Sequence, residues 1–146
     1  MPQHWFFLSD PESYHFDTLF RKEKDVWDGV HGAPAQKHLA QVKKGDRILG
    51  YHTAPEKAVY AILEAVSDSY PEKSIRAAPV RARAPSTVWV MDVKGVRKLS
   101  RPVPLAELRA AKKLAKMKFL VIPRMAVSPL TPAEYREILR LAGEKG

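Results

Sequence analysis

The chain opens on an unbroken apolar run, Trp5-Phe6-Phe7-Leu8, cut off by Ser9-Asp10-Pro11. Bulky residues bounded by turn formers predict a buried strand. Residues 16–20 predict a short helix with Asp17 as its N-cap. Trp27-Asp28-Gly29-Val30-His31-Gly32 holds too much glycine for a regular element and predicts a loop. Pro34, suited to a first helical position, opens a helix to about Val42. Lys44-Gly45-Asp46 then turns the chain into a strand over 47–53, built on Ile48, Leu49 and Tyr51. Past the Pro55-Glu56-Lys57 turn, 58–66 alternates well enough to pair with that strand.

The second half is less regular. Residues 68–85 read as irregular, and 87–93 as a strand rich in Val and Trp. Residues 105–116 predict a helix. Short strands follow at 119–122 and 125–127, around Pro123-Arg124. The last element has the fullest signature. Thr131 caps, Pro132 takes the first position and Glu134 closes a capping box. Tyr135, Ile138, Leu139 and Ala142 recur at i, i+3, i+4 and i+7, and Gly143 ends the helix. The mixture predicts an α+β fold in one domain spanning 1–146.

Composition narrows the chemistry. The chain has 146 residues, 45% of them hydrophobic, with no apolar run near the ~20 residues that cross a bilayer. Its first residues carry no basic region ahead of the apolar run, so no signal peptide is expected and the cytoplasm is the expected compartment. The absence of cysteine excludes disulfides, thiolate zinc sites and cysteine nucleophiles. None of the five histidines forms a HExxH or similar ligand pair, so neither a metal nor a cofactor is expected.

The net charge is +9, unevenly placed. Residues 1–70 hold 8 Lys+Arg against 10 Asp+Glu, a net of −2. Residues 71–146 hold 17 against 6, a net of +11. A basic excess of that size attracts polyanions and suits a phosphate backbone; its bland counterpart is solubility.

Several short segments, in order and at matching spacing, resemble the EVE domain of the PUA-like superfamily, which is related in fold to YTH domains. They are Trp5 with Ser9-Asp10-Pro11, Trp27-Asp28-Gly29-Val30, Lys43-Lys44-Gly45-Asp46, Tyr51-His52-Thr53, Tyr70-Pro71, Asp92-Val93, Pro102-Val103 and Arg124-Met125-Ala126-Val127. His31-Gly32 departs from the family's Arg-Asn, and Ala126 from its Ser. The resemblance implies a mixed β-barrel with flanking helices. It also implies a non-catalytic role: holding one nucleobase of DNA or RNA, a modified one by expectation, in an aromatic pocket.

Carried onto this chain, the resemblance makes Trp27 the stacking ring, with a core tryptophan as the alternative. Ser9, Val30, His31, Tyr51, His52, Thr53 and Arg124 complete the expected ligand set. His52 has a neutral donor–acceptor ring, or is a buried histidine satisfied by backbone. Ser9 donates to a base carbonyl or caps a turn. Arg124 reaches a phosphate or base edge, or pairs with Asp28 or Asp46. Arg76, Arg81, Arg83, Arg97, Lys98 and Arg101 are expected along a phosphate track. Lys112, Lys113 and Lys116 read as a solvated helix face. Two other readings stay open: a small ASCH-like amidohydrolase acting on acylated nucleosides, and an RNA-processing module using its basic surface alone. No GxSxG or metal set supports catalysis, and nothing in the sequence gathers Thr53, Lys57 and Glu64 into one cleft.

Overall fold

The computed structural model describes residues 2–30, 32–72, 88–122 and 125–144. Seven strands form one mixed sheet in the order β2-β6-β4-β3-β1-β7, with β5 beside β6. They are β1 (His4–Ser9), β2 (Asp25–Trp27), β3 (Arg47–His52), β4 (Ala58–Ala65), β5 (Tyr70–Pro71), β6 (Trp89–Pro104) and β7 (Val127–Leu130). Among the described residues only β1 and β3 run parallel; the other pairs are antiparallel. The sheet curls into a half-barrel with flanking helices.

Side chains alternate across each strand and so build two cores. Trp5 and Phe7 point into the half-barrel with Phe16, Trp27, Ile48, Leu63 and Met91. Phe6, Leu49, Tyr51 and Ile62 point outward and are covered by α3 (Leu105–Ala110), α4 (Lys118–Val121) and α5 (Pro132–Leu141). The short helix α2 (Ala33–Leu39) packs on both β7 and β6 and spans the seam between the ends of the sheet. Gln36 does the joining. Its Nε2 donates to the carbonyls of Val30 and Trp89 (3.1 and 3.2 Å), and its Oε1 accepts from Trp89 N–H at 2.7 Å. A side-chain amide here stands in for a strand edge.

Several expectations change. Of the loop expected over 27–32, Asp28–Val30 carry no regular element, but Trp27 ends a strand, 25–27, that pairs with β6 from Asp25↔Val93 to Trp27↔Met91. The strand expected over 87–93 runs on to Pro104, accommodated by irregularities between Val59 and Ala61 and between Ile62 and Leu63. Residues 118–121 form helix α4, not a strand. The helix expected over 105–116 breaks at Ala111, which is extended, before a single 3₁₀ turn at Lys112–Leu114. Phe16, not Asp17, is the N-cap of α1 (Asp17–Arg21), because Asp17's carboxylate is taken by the Tyr60 hydroxyl (2.7 Å) and Lys98 (3.1 Å). The α5 capping box forms as expected, with Thr131 and Glu134 exchanging 3.0 Å hydrogen bonds. Among the described residues no helix is long and apolar enough to cross a membrane.

Candidate functional site

A cavity of about 500 Å³ opens where β1 ends, between the Ser9–Tyr14 turn and the segment following β2. Its apolar wall is Leu8, Val30, Ala126 and Trp27, with Tyr14 beside them. Its polar rim is Ser9, Asp10, Ser13, Asp25 and Asp28.

Trp27 belongs to both core and cavity. β2 turns its indole inward, and 8% of it stays exposed. Phe16 stacks on it at 5.6 Å and 9°, Phe7 lies at 5.5 Å and 32°, and Tyr14 meets it edge-on at 5.5 Å and 82°. The ring is thereby held rigid by three aromatic neighbours. Gly29 and Gly32 adopt φ of 71° and 95°, the left-handed region that glycine enters without strain. Their turns carry the chain from β2 past the cavity and into α2.

Among the described residues the rim is acidic. No Lys or Arg is among the described lining residues. Burial pushes the Asp25 carboxyl up. Hydrogen bonds from the Tyr14 hydroxyl (2.7 Å), Lys22 (3.2 Å) and Val26 N–H (2.9 Å) outweigh it and hold the group below the usual carboxylate range. Burial and the same Asp25 contact push the Tyr14 phenol far up, so Tyr14 stays a donor. Both Asp25 oxygens are thus engaged by neighbours. Asp28 is exposed on the rim, and its carboxylate oxygens have no partner among the described residues. Ser9 Oγ donates to the Tyr14 carbonyl at 2.7 Å, pinning the turn.

Of the expected ligand set, Ser9, Trp27 and Val30 meet at this cavity. Tyr51, His52 and Thr53 do not line it. Tyr51 points outward against Phe6 (5.6 Å) and Phe119 (4.7 Å) and is 3% exposed. His52 is fully buried: its Nε2 accepts from Phe16 N–H at 3.1 Å and its Nδ1 lies 2.5 Å from Glu56 Oε1. Thr53 N–H donates to the Ser9 carbonyl at 2.9 Å. These residues brace the site from behind. His52 holds Phe16, and Phe16 holds Trp27.

Arg97 and Lys98 lie away from the cavity, because their strand turns them elsewhere. Arg97 grips Glu144 (2.7 Å), and Lys98 reaches Asp17 and sits 5.9 Å from the Tyr60 ring. Arg101 pairs with Glu107. His31, Arg76, Arg81, Arg83 and Arg124 lie outside the described residues. Sequence reading missed Tyr14, Asp28 as an acceptor, and Gln36. A tyrosine just past the Ser9-Asp10-Pro11 turn was the available signal for the first.

The fold also gathers His15, His52 and Glu56, with ligand atoms within 4.8 Å of one another. The donor set does not suit a metal. His52 Nε2 already accepts a backbone N–H, so the neutral ring carries its proton on Nδ1, facing Glu56. A metal on Nδ1 would need an imidazolate.

The EVE domain family model matches residues 3–141. The chain belongs to the EVE domain family. Human thymocyte nuclear protein 1 is 28% identical to this EVE domain, over 97% of this chain and 74% of that protein. A Leishmania major protein of solved structure superposes with a TM-score of 0.86 at 25% identity, covering 98% of this chain and 96% of that one. The human THYN1 protein in complex with DNA containing 5-methylcytosine superposes at 0.84 with 24% identity, covering 99% of both chains. A mutant Zymomonas mobilis ASCH protein is more distant, at 0.58 and 14%, covering 95% of this EVE domain and 98% of that chain.

Proposed function

We propose that this EVE domain is a non-catalytic reader of nucleic acid that takes one extruded or unpaired nucleobase into the cavity beside Trp27. The observation that carries the reading is the cavity itself, about 500 Å³ with an aromatic wall and, on its rim, Asp28, a carboxylate without a partner among the described residues. That volume falls within the range of small-ligand sites. Carboxylates accept and do not donate, so the rim favours a base edge bearing an amino group (cytosine, adenine or guanine) over thymine, whose edge donates only through N3–H. Leu8, Val30 and Ala126 offer apolar contact to a ring methyl. 5-Methylcytosine combines both features, and a relative of the same fold is known in complex with DNA that contains it.

Catalysis finds no support at the cavity. Ser9 gives its proton to a carbonyl, which cannot take it. Lys57 and Glu64 lie seven residues apart, Glu64 well along β4, so roughly 20 Å separates them along the chain. An ASCH-like deacylation assay on acylated nucleosides is expected to show no turnover.

The test is an NMR titration with short single strands carrying 5-methylcytosine, cytosine or thymine at one position, run as DNA and as RNA. Shifts are expected at Tyr14, Trp27, Asp28 and Val30, with 5-methylcytosine tightest. Asp28→Asn removes a charged acceptor worth about 1.5–3 kcal/mol and is expected to weaken the cytosine strands by roughly 10- to 100-fold. Equal affinity for all three bases, with no shift around Trp27, would overturn the reading.

A further inference from the structure

A second hollow, about 360 Å³, lies on the other face of the sheet, beneath α5. Ile62, Tyr135 and Leu139 line it from the outer core. Three arginines converge on it from three elements: Arg47 from β3, Arg97 from β6 and Arg136 from α5. Arg97 is fixed. Its Nε and one terminal nitrogen both donate to Glu144 Oε1, at 3.0 and 2.7 Å, while Ser100 holds the other carboxylate oxygen. The Arg47 and Arg136 guanidinium groups have neither a hydrogen-bond nor an ion-pair partner among the described residues. Arg47 is also half-buried.

Like charges converging beside an apolar wall repel one another, and Glu144 offsets only one of them. His4 adds no charge of its own at neutral pH. Burial holds its pKa below the ordinary value, with Asp46 pulling up and Arg136 and Arg47 pushing down. Its ring packs on Tyr135 at 4.3 Å, and its Nδ1 is buried without a partner. Among the described residues, the Arg47 and Arg136 guanidinium groups therefore keep donors free for an anion at the hollow. Guanidinium groups bind tetrahedral oxyanions through paired N–H donors, and two or more arginines around one pocket favour phosphate.

We propose that the hollow formed by Arg47, Arg97 and Arg136 is a phosphate site, separate from the Trp27 cavity and independent of it. The phosphate group comes either from the backbone of a bound strand or from a free phosphomonoester. The chemistry of recognition is the same for both.

The experiment is a titration of the isotope-labelled full chain with inorganic phosphate at constant ionic strength, reading the arginine Nε–H signals and the amides of β1 and α5. Saturable shifts confined to Arg47, Arg97, Arg136, His4 and Tyr135 are expected. Arg136→Gln, an exposed position with little bearing on folding, is expected to weaken phosphate at least fivefold, and Arg47→Gln at least tenfold. Shifts spread over all basic residues, or unchanged phosphate affinity in both variants, would overturn the proposal. A second arm uses a single-stranded oligonucleotide. If it moves the same signals and Arg136→Gln lowers its salt dependence, the source is the backbone. If it leaves them unmoved while inorganic phosphate shifts them, the source is a free phosphate. Either result stands apart from the fate of the base pocket, whose signals are those of Tyr14 and Trp27.

Discussion

Because His52 Nε2 accepts from the Phe16 backbone, protonating that nitrogen would set two donors face to face. Burial lowers the His52 pKa most strongly; Glu56 pulls it back up, His15 lowers it, and the net direction is down from 6.5. His4 and His38 shift the same way, burial again the first cause. A histidine whose folded pKa lies below its unfolded one binds fewer protons when folded, so stability rises with pH. That contribution is complete above about 6.5 and is lost as pH falls below it. The melting temperature is therefore expected to drop between pH 7.5 and pH 5.5. His52→Gln keeps an acceptor for Phe16 N–H but cannot titrate, and its drop is expected to be smaller than that of the parent. An identical drop in calorimetry would remove His52 from the account. His52→Ala loses both acceptor and packing, a loss of about 3 kcal/mol. In the sequence this residue stood equally as a base reader or a buried, satisfied histidine. The structure shows the buried contact, which depends on Phe16, 36 positions away.

β3 carries one position where an element depends on having no side chain. A Cβ built on Gly50 would lie 2.7 Å from the Phe16 ring, which rests directly on the strand. Phe16 in turn stacks on Trp27 at 5.6 Å and on His52 at 4.8 Å. Gly50→Ala must push that ring away, a cost of about 1–3 kcal/mol. The displacement is expected to show as a changed Trp27 emission spectrum and near-ultraviolet circular dichroism. Unchanged spectra with unchanged stability would mean that the stack is not what holds the indole. Local elements with their own chemistry were legible in the sequence: β1 from its apolar run, β3 and β4 around the Pro55 turn, and α5 from its cap and stripe. Elements defined by a distant partner were not. β2 is only three residues long, too short for a pattern of its own, and is defined by its pairing with β6. The 118–121 segment carries bulky strand formers, yet Phe119 buries against Phe6 as part of a helix.

At the scale of the whole molecule, the described cavity and the basic excess belong to different halves of the sequence. The cavity is built almost wholly from residues 8–30, within the half of the chain that carries a net charge of −2, whereas the other half carries +11. Base reading and phosphate attraction must then be distinct physical events, governed by different residues. The sequence made the positive charge legible but not its distance from the pocket, which follows from the way β6 turns Arg97 and Lys98 toward Glu144 and Asp17. The separation has a measurable form. Attraction to phosphates releases counterions, so log affinity falls with log salt by about 0.9 for each phosphate neutralised on duplex DNA and about 0.7 on a single strand. Reversing Arg76, Arg81 and Arg83 to Glu is expected to weaken single-strand binding and to flatten that slope by about 2. Preference among the bases should stay unchanged, since in this reading it rests on Asp28 and the wall beside Trp27. Asp28→Asn is expected to do the opposite, lowering base preference while keeping the slope. Measuring affinity at four salt concentrations for both variants decides between this division and a single merged surface. A slope that Asp28→Asn changes as much as the arginine reversal does would mean the acidic rim and the basic half act on the same phosphates.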